Sequence, residues 1–259
     1  MILEVDGKRI FYVLEGERED PVLLYIHGNL GSSLWFKKVM NVTGYKTVAL
    51  DMPNFANSDS IESMDIDSYA DFTAHFLKKI LKESNKDNAV VVGHSLGGAV
   101  AVSFAVRYPD LVSSLILIDP PPLEGLVTPK EHYPYIEKYR TDKQLLKTAL
   151  KSVTPGMDDD LFLDDLTEDA FKMKGAAFIG HALSLESFNY SDRVADFKQP
   201  VLVVVGGKDI LITREMGKAV SDSFPDGEYK YIKDVGHSII VEAPDVFIQI
   251  VENFLIACK

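Results

Sequence analysis

The residues with the clearest chemical potential lie in Val90-Val91-Val92-Gly93-His94-Ser95-Leu96-Gly97-Gly98-Ala99, where a β-branched apolar run ends in G-x-S-x-G and continues as a helical pattern. A buried strand that meets a helix across glycines around one serine makes a sharp turn, which strains the serine backbone and exposes its hydroxyl. Ser95 is therefore the candidate nucleophile. Gly93 and Gly97 sit two residues either side of it, where a Cβ would collide with the opposite arm of the turn.

A serine hydroxyl reacts poorly near neutrality unless a base takes its proton, and that base needs an orienting acceptor. Of the six histidines, His237 lies in the loop Val235-Gly236-His237-Ser238, after a strand pattern and before the last helix. Parallel strands present their following loops at one sheet edge, the edge where Ser95 emerges, so the two can meet. The other histidines have simpler explanations. His94 flanks the turn with its side chain directed away from the exposed face, and His75 falls in a helical pattern. His132 and His181 fall in an interval of surface or pocket residues, and His27 opens a glycine turn. Asp209 ends Gly206-Gly207-Lys208-Asp209 after a strong strand and is the expected orienting carboxylate. Asp119, at the end of another strand, is its rival and could instead anchor the start of an insertion; the chain order Ser, Asp, His favours Asp209. Asp234 is too near His237 in sequence to reach around its ring.

Two backbone N–H groups should receive negative charge on a substrate oxygen. One is that of Leu96, at a helix N-terminus. The other is that of Asn29, in the turn Tyr25-Ile26-His27-Gly28-Asn29-Leu30-Gly31-Ser32-Ser33, whose glycines admit close approach. Ser33 reads as the cap of the helix that follows.

Apolar strand patterns position these groups at Ile2 to Val5, Ile10 to Glu15, Val22 to Ile26, Lys46 to Leu50, Ala89 to Val92, Leu115 to Ile118, Val201 to Val205 and Tyr229 to Ile232. The first two join at Asp6-Gly7, a hairpin dipeptide. Helical patterns cover Leu34 to Val42, Ser68 to Lys82 with Asp67 or Ser68 as cap, Leu96 to Tyr108, Arg214 to Ser223, and Asp245 to Ile256 behind Pro244. Alternating strands and helices require a mostly parallel sheet with helices on both faces. The alternation breaks between Pro120-Pro121-Pro122 and Pro200, so one domain spanning 1–259 carries a helical cap at about 121–195. Trp35, Phe178 and Phe188 are candidates to line a substrate pocket. The acidic groups Asp158-Asp159-Asp160 and Asp164-Asp165 lack the glycine and closing glutamate of a calcium loop; they read as surface and helix caps, with no metal expected.

The chain has 27 basic and 39 acidic residues, a net charge of -12, which disfavours nucleic acid and anionic membranes as partners. A single cysteine, Cys258, permits no intrachain disulfide and points to a reducing compartment. No run approaches about 18 uninterrupted apolar residues and no leader pattern opens the chain, so a soluble, cytoplasmic protein, monomer or homodimer, is expected.

At His27-Gly28, Gly93-His94-Ser95-Leu96-Gly97-Gly98, Gly206-Gly207-Lys208-Asp209 and Gly236-His237 the chain resembles the α/β-hydrolase superfamily over nearly its full length. The resemblance implies an eight-stranded sheet with an antiparallel second strand, a helical cap and no cofactor. One piece departs from it. Many relatives carry D-x-P-G-x-G-x-S after the fourth strand, whereas here Asp51-Met52-Pro53-Asn54-Phe55-Ala56-Asn57-Ser58 has Asn54 and Ala56 in place of glycines; asparagine tolerates the left-handed region. Phe55 is a further pocket candidate. The serine excludes haloalkane dehalogenation, which uses a carboxylate at this position. The expected activity is hydrolysis of a small-molecule carboxylic ester through an acyl-enzyme. Alternatives on the same scaffold are carbon-carbon bond hydrolysis, lactone hydrolysis, perhydrolysis, or a small-molecule receptor that keeps the three residues.

Overall fold

The computed structural model describes residues 1–258. Eight strands form one sheet: β1 (Ile2–Val5), β2 (Lys8–Glu15), β3 (Val22–Ile26), β4 (Lys46–Leu50), β5 (Ala89–His94), β6 (Val112–Ile118), β7 (Val201–Gly206) and β8 (Gly227–Ile232), in the order β1-β2-β4-β3-β5-β6-β7-β8. β2 pairs antiparallel with β1 and with β4; every other pairing is parallel. Asp6 and Gly7 make the first hairpin turn with both φ values positive, as a two-residue loop between right-twisted strands requires.

The central strands are rich in Val, Ile and Leu, and β3, β4, β5 and β7 are buried at every residue because helices cover both faces. On one face lie α1 (Ile66–Ser84) and α2 (Leu96–Arg107), whose Phe72, Phe76, Leu77, Val100 and Phe104 meet Val22, Leu24, Val91 and Leu115. Between β6 and β7 come α3 (Tyr133–Lys138), α4 (Lys143–Val153), α5 (Asp160–Phe171) and α6 (Gly175–Ser187), with no strand among the described residues. After β7 follow α7 (Arg214–Asp222), α8 (Ile239–Glu242) and α9 (Pro244–Ala257). α9 packs Phe247, Val251 and Phe254 on the opposite face with Leu23, Ala49, Val92 and Leu202. Pro244 opens α9 in its first turn, where the missing N–H costs nothing.

Local details differ from the sequence patterns for identifiable reasons. The helix expected over Leu34 to Val42 is a 3-10 helix over Ser33–Val39, capped by Ser32 rather than Ser33. Ser33 instead holds the residue that follows β4, its N–H donating to Asp51 Oδ1 at 2.7 Å. Tyr25 Oη and Thr47 Oγ1 donate to the carbonyls of Val39 and Met40, tying down the end of this short turn from the sheet. The cap of α1 is Asp65, which accepts from Ser68 N at 2.8 Å, not Asp67 or Ser68; Asp67 accepts instead from Ser103 Oγ and Tyr190 Oη. Asp159 caps α5 by accepting from Phe162 N and pairs with Lys38.

The parallel registers place Ile26 beside Gly93, His94 beside Ile118, and Gly206 beside Ile232. The residues after β3, β5, β6, β7 and β8 therefore leave the sheet at one edge. Among the described residues no helix is long and apolar enough to cross a membrane.

Candidate active site

Ser95 stands at the junction of β5 and α2 with φ 54° and ψ -121°, a conformation L-residues rarely adopt. Its N–H donates to Ile118 O at 2.9 Å, which fixes the turn against β6. From Ala89 to Ala105 every residue except Ser95 is buried. A Cβ on Gly93 would run into the Gly97 carbonyl, so the two arms of the turn require glycine. A Cβ on Gly28 would lie 2.9 Å from Ser95 Cβ, so the turn after β3 rests directly on the serine.

The loops after β7 and β8 are held equally closely, since a Cβ on Gly206 would occupy the Gly236 carbonyl. That contact brings Asp209 to His237, with Asp209 Oδ2 2.6 Å from His237 Nδ1 and both side chains almost wholly buried. Asp209 Oδ1 accepts from Leu211 N at 2.7 Å and Ile212 N at 3.1 Å. Burial opposes ionisation of Asp209, but the His237 bond and charge and the two amides outweigh it and hold the carboxyl below its ordinary range. An ionised acceptor makes Nδ1 the protonated nitrogen and leaves Nε2 with a lone pair. Ser95 Oγ makes no hydrogen bond to His237 among the described residues; such contacts commonly tighten only when substrate is bound.

The His237 loop is pinned from three directions. His237 N donates to Val153 O at 2.9 Å, at the end of α4. Glu242 accepts from Gly236 N, Ser238 N and Gly156 N at 3.1, 3.2 and 2.7 Å. His94 Nε2 donates to the His237 carbonyl at 2.8 Å, linking the residue beside Ser95 to the residue expected to serve it. Burial, reinforced by the His237 charge, lowers His94 to about 3, so it stays neutral and keeps this one donor.

Asp119 is also here. Fully buried at φ 45°, it accepts from Gly206 N at 2.8 Å through Oδ1, and its Oδ2 has no partner. Burial first, then the charge of Asp209, raises its carboxyl well above the ordinary value. Asp119, Asp209 and His237 each bring one ligand-type atom within 4.8 Å of the others. His237 Nδ1 is already hydrogen-bonded to Asp209, so a cation at this grouping would have to displace that bond.

The N–H groups of Asn29 and Leu96, the expected oxyanion donors, donate to no protein acceptor among the described residues. The Asn29 side chain is engaged elsewhere: its Oδ1 accepts from Leu30 N at 3.0 Å and meets His181 Nδ1 at 2.9 Å. His181, expected at the surface or in a pocket, is fully buried in α6 and lowered by burial to about 3. Its ring stacks on Phe55 at 4.6 Å with a 4° interplanar angle. The loop that departs from D-x-P-G-x-G-x-S turns through Asn54 at φ 75° and Ala56 at φ 37°, so both substituted residues occupy the positive-φ region that glycine favours.

The three aromatic pocket candidates are packed. Trp35 joins the core on the α9 face and stacks near His94 at 5.9 Å, Phe178 is fully buried in α6, and Phe188 stacks on Tyr190 at 5.2 Å.

A strained serine at a strand-helix turn and an Asp-His pair on the neighbouring loops of an eight-stranded, mostly parallel sheet define an α/β hydrolase. Residues 21–244 match the α/β-hydrolase-fold family model, and the chain belongs to that family. It is 26% identical to an uncharacterized hydrolase, YugF, of Bacillus subtilis, over 97% of this chain and 96% of that one. It is 25% identical to a 2-hydroxy-6-oxononadienedioate/2-hydroxy-6-oxononatrienedioate hydrolase of Escherichia coli K12, over 98% and 93% respectively. Among solved structures, the esterase EaEST from Exiguobacterium antarcticum superposes with a TM-score of 0.85 at 17% identity, over 98% of each chain, a likeness of fold.

Proposed function

We propose that this hydrolase cleaves small carboxylic esters through an acyl-enzyme on Ser95, with His237 and Asp209 completing a catalytic triad. His237 Nε2 takes the Ser95 proton as Oγ attacks the ester carbonyl, and the imidazolium is stabilised by Asp209. The Asn29 and Leu96 amides donate to the oxyanion of the tetrahedral intermediate. Collapse breaks the C–O bond, the leaving alcohol takes the proton from Nε2, and a water activated by His237 then hydrolyses the acyl-serine. Helices α3 to α6 act as the cap over this site. The observation that carries the proposal is the 2.6 Å bond at His237 Nδ1, which leaves Nε2 as a base in the loop that His94 fastens beside Ser95.

Carbon-carbon bond hydrolysis is the second reading, favoured by the Escherichia coli relative, whose named substrates are dicarboxylates. Against it, no lysine or arginine is hydrogen-bonded or ion-paired to Ser95, Asn29, Leu96 or His237 among the described residues. His181, whose Nδ1 meets Asn29 Oδ1 at 2.9 Å, is lowered by burial to about 3 and adds no positive charge there. A neutral ester fits these surroundings better than a dianion. Turnover across esters of graded acyl length, lactones and a dienoic ketoacid, with Ser95→Ala as control, tests the choice. Ester turnover lost in Ser95→Ala is the expected result, and preferential cleavage of the ketoacid overturns it.

A further inference from the structure

A single hydrogen-bonded chain runs from the loop after β4 to the turn after β3 by way of α6. Asn54 Oδ1 accepts from Ile61 N at 3.1 Å, and Asn54 Nδ2 donates to Tyr69 Oη at 2.9 Å. Tyr69 Oη lies 2.8 Å from His181 Nε2, and His181 Nδ1 lies 2.9 Å from Asn29 Oδ1. Backbone N–H groups fix the polarity at both ends. Because Leu30 N and Ile61 N can only donate, Oδ1 of both asparagines accepts, so His181 Nδ1 carries the proton and Nε2 accepts from Tyr69. Every step has one donor and one acceptor, and each of the four side chains has a defined orientation.

The chain is buried where it crosses between elements: Asn54, Tyr69 and His181 have no exposed surface. Phe55 stacks flat on the His181 ring and meets His27 edge-on at 4.6 Å, so one aromatic side chain braces both histidines. Lys174 N, at the start of α6, donates to the Asn54 carbonyl at 3.0 Å, and Ser184 Oγ donates to the Met64 carbonyl. α6 is therefore docked on the Asp51–Asp65 loop at both ends, with the imidazole between.

We propose that His181 is a positioning residue of the oxyanion site, holding the Asn29 amide in its donating direction through the Asn54-Tyr69-His181-Asn29 chain. The proposal rests on the assignment of Asn29 and Leu96 as oxyanion donors. Asn29 is the only member that touches the turn lying on Ser95; the other three act through it. A buried ring with both nitrogens used fixes the side chain of Asn29, and with it the peptide plane that carries the catalytic N–H. Because Asn54 occupies a position where many relatives have glycine, this brace belongs to the departure from the usual loop rather than to the shared scaffold.

The test compares wild type with His181→Phe, which keeps the ring on Phe55 and removes both nitrogens, and Tyr69→Phe, which removes one hydroxyl. kcat and KM for an ester, normalised to active sites titrated with a fluorophosphonate, are measured beside the affinity for a trifluoromethyl ketone, whose serine adduct carries the oxyanion. His181→Phe should lower kcat by about 10- to 100-fold, leave KM nearly unchanged and weaken the ketone in parallel, because a small displacement of a donor acts on the transition state. Tyr69→Phe should shift the same two quantities in the same direction by about 2- to 5-fold. Unchanged kcat per titrated site in both variants, or a loss confined to KM, overturns the proposal. Should His181→Phe not fold, Tyr69→Phe decides alone by the same criterion. Ser95→Ala separates the two levels: an inert Ser95→Ala beside unaffected His181→Phe and Tyr69→Phe removes only this inference, whereas an active Ser95→Ala removes the serine mechanism beneath it.

Discussion

The carboxyl groups of Asp119 and Asp209 converge on His237, with atoms of all three residues within 4.8 Å of one another. Two buried carboxylates at that range cannot both keep a charge. Asp209 is bonded to the imidazole and to two amides, whereas Asp119 is bonded to one amide. The charge settles on Asp209 and the proton on Asp119, consistent with the downward displacement of the first and the upward displacement of the second.

An amide is the neutral counterpart of a protonated carboxyl, so Asp119→Asn should leave kcat within about 3-fold of wild type. Its stability should differ in a pH-dependent way. Because the folded-state value of Asp119 is raised above 3.8, the folded protein binds the extra proton in the window above 3.8. The Asp119 contribution to stability is then lost as pH rises through that window. Asn has no such loss, so the melting temperature of Asp119→Asn relative to wild type should climb as pH rises above 3.8. Parallel melting curves would mean that Asp119 is ionised in the fold.

Ser95 and His237 are proposed to act as a unit. Ser95→Ala and His237→Ala should each lower kcat by roughly 10⁴-fold or more, and the double variant should be scarcely slower than either. Losses that multiply in single-turnover measurements would show two independent contributions.

Three buried histidines make the fold acid-sensitive. Burial lowers His27, His94 and His181, the last two to about 3, so they remain neutral where the unfolded chain takes up protons near 6.5. A depressed histidine subtracts stability as pH falls below 6.5, by about 1.4 kcal/mol per pH unit for each group, until its folded-state value is reached. Asp209 adds to the loss only below 3.8, and Asp119 opposes it. Urea unfolding in steps from about pH 7 to about pH 5 should give a falling stability whose slope decreases by about one proton in His181→Phe. An unaltered slope would mean that the His181 ring is charged in the folded protein.

Much of the architecture was legible because its signals are local. Apolar runs separated by helical patterns gave the parallel strands, Asp6-Gly7 gave the hairpin, and the proline-bounded interval without strand patterns gave the helical segment before β7. Cap positions were less legible: Asp65, Asp67 and Ser68 all have capping side chains, and what decided among them was that Asp67 is drawn away by Ser103 and Tyr190. The 3-10 form of Ser33–Val39 depends on Tyr25 and Thr47 reaching its end from the sheet. At the candidate site, the serine turn and the glycines that admit close approach had sequence signatures. His181 and Tyr69 had none, since His181 meets Asn29 across 152 residues and Tyr69 across 112, and only the finished packing brings them together. Asn54 did leave a trace, as a residue standing where glycine is usual.

The bond from His237 N to Val153 O, with Glu242 bridging Gly156 to Gly236 and Ser238, makes the end of α4 a strut for the loop that bears the imidazole. Replacing the segment between β6 and β7 would thus remove a brace from the loop that carries His237, the proposed base. Transplants that retain Val153 to Gly156 preserve that brace.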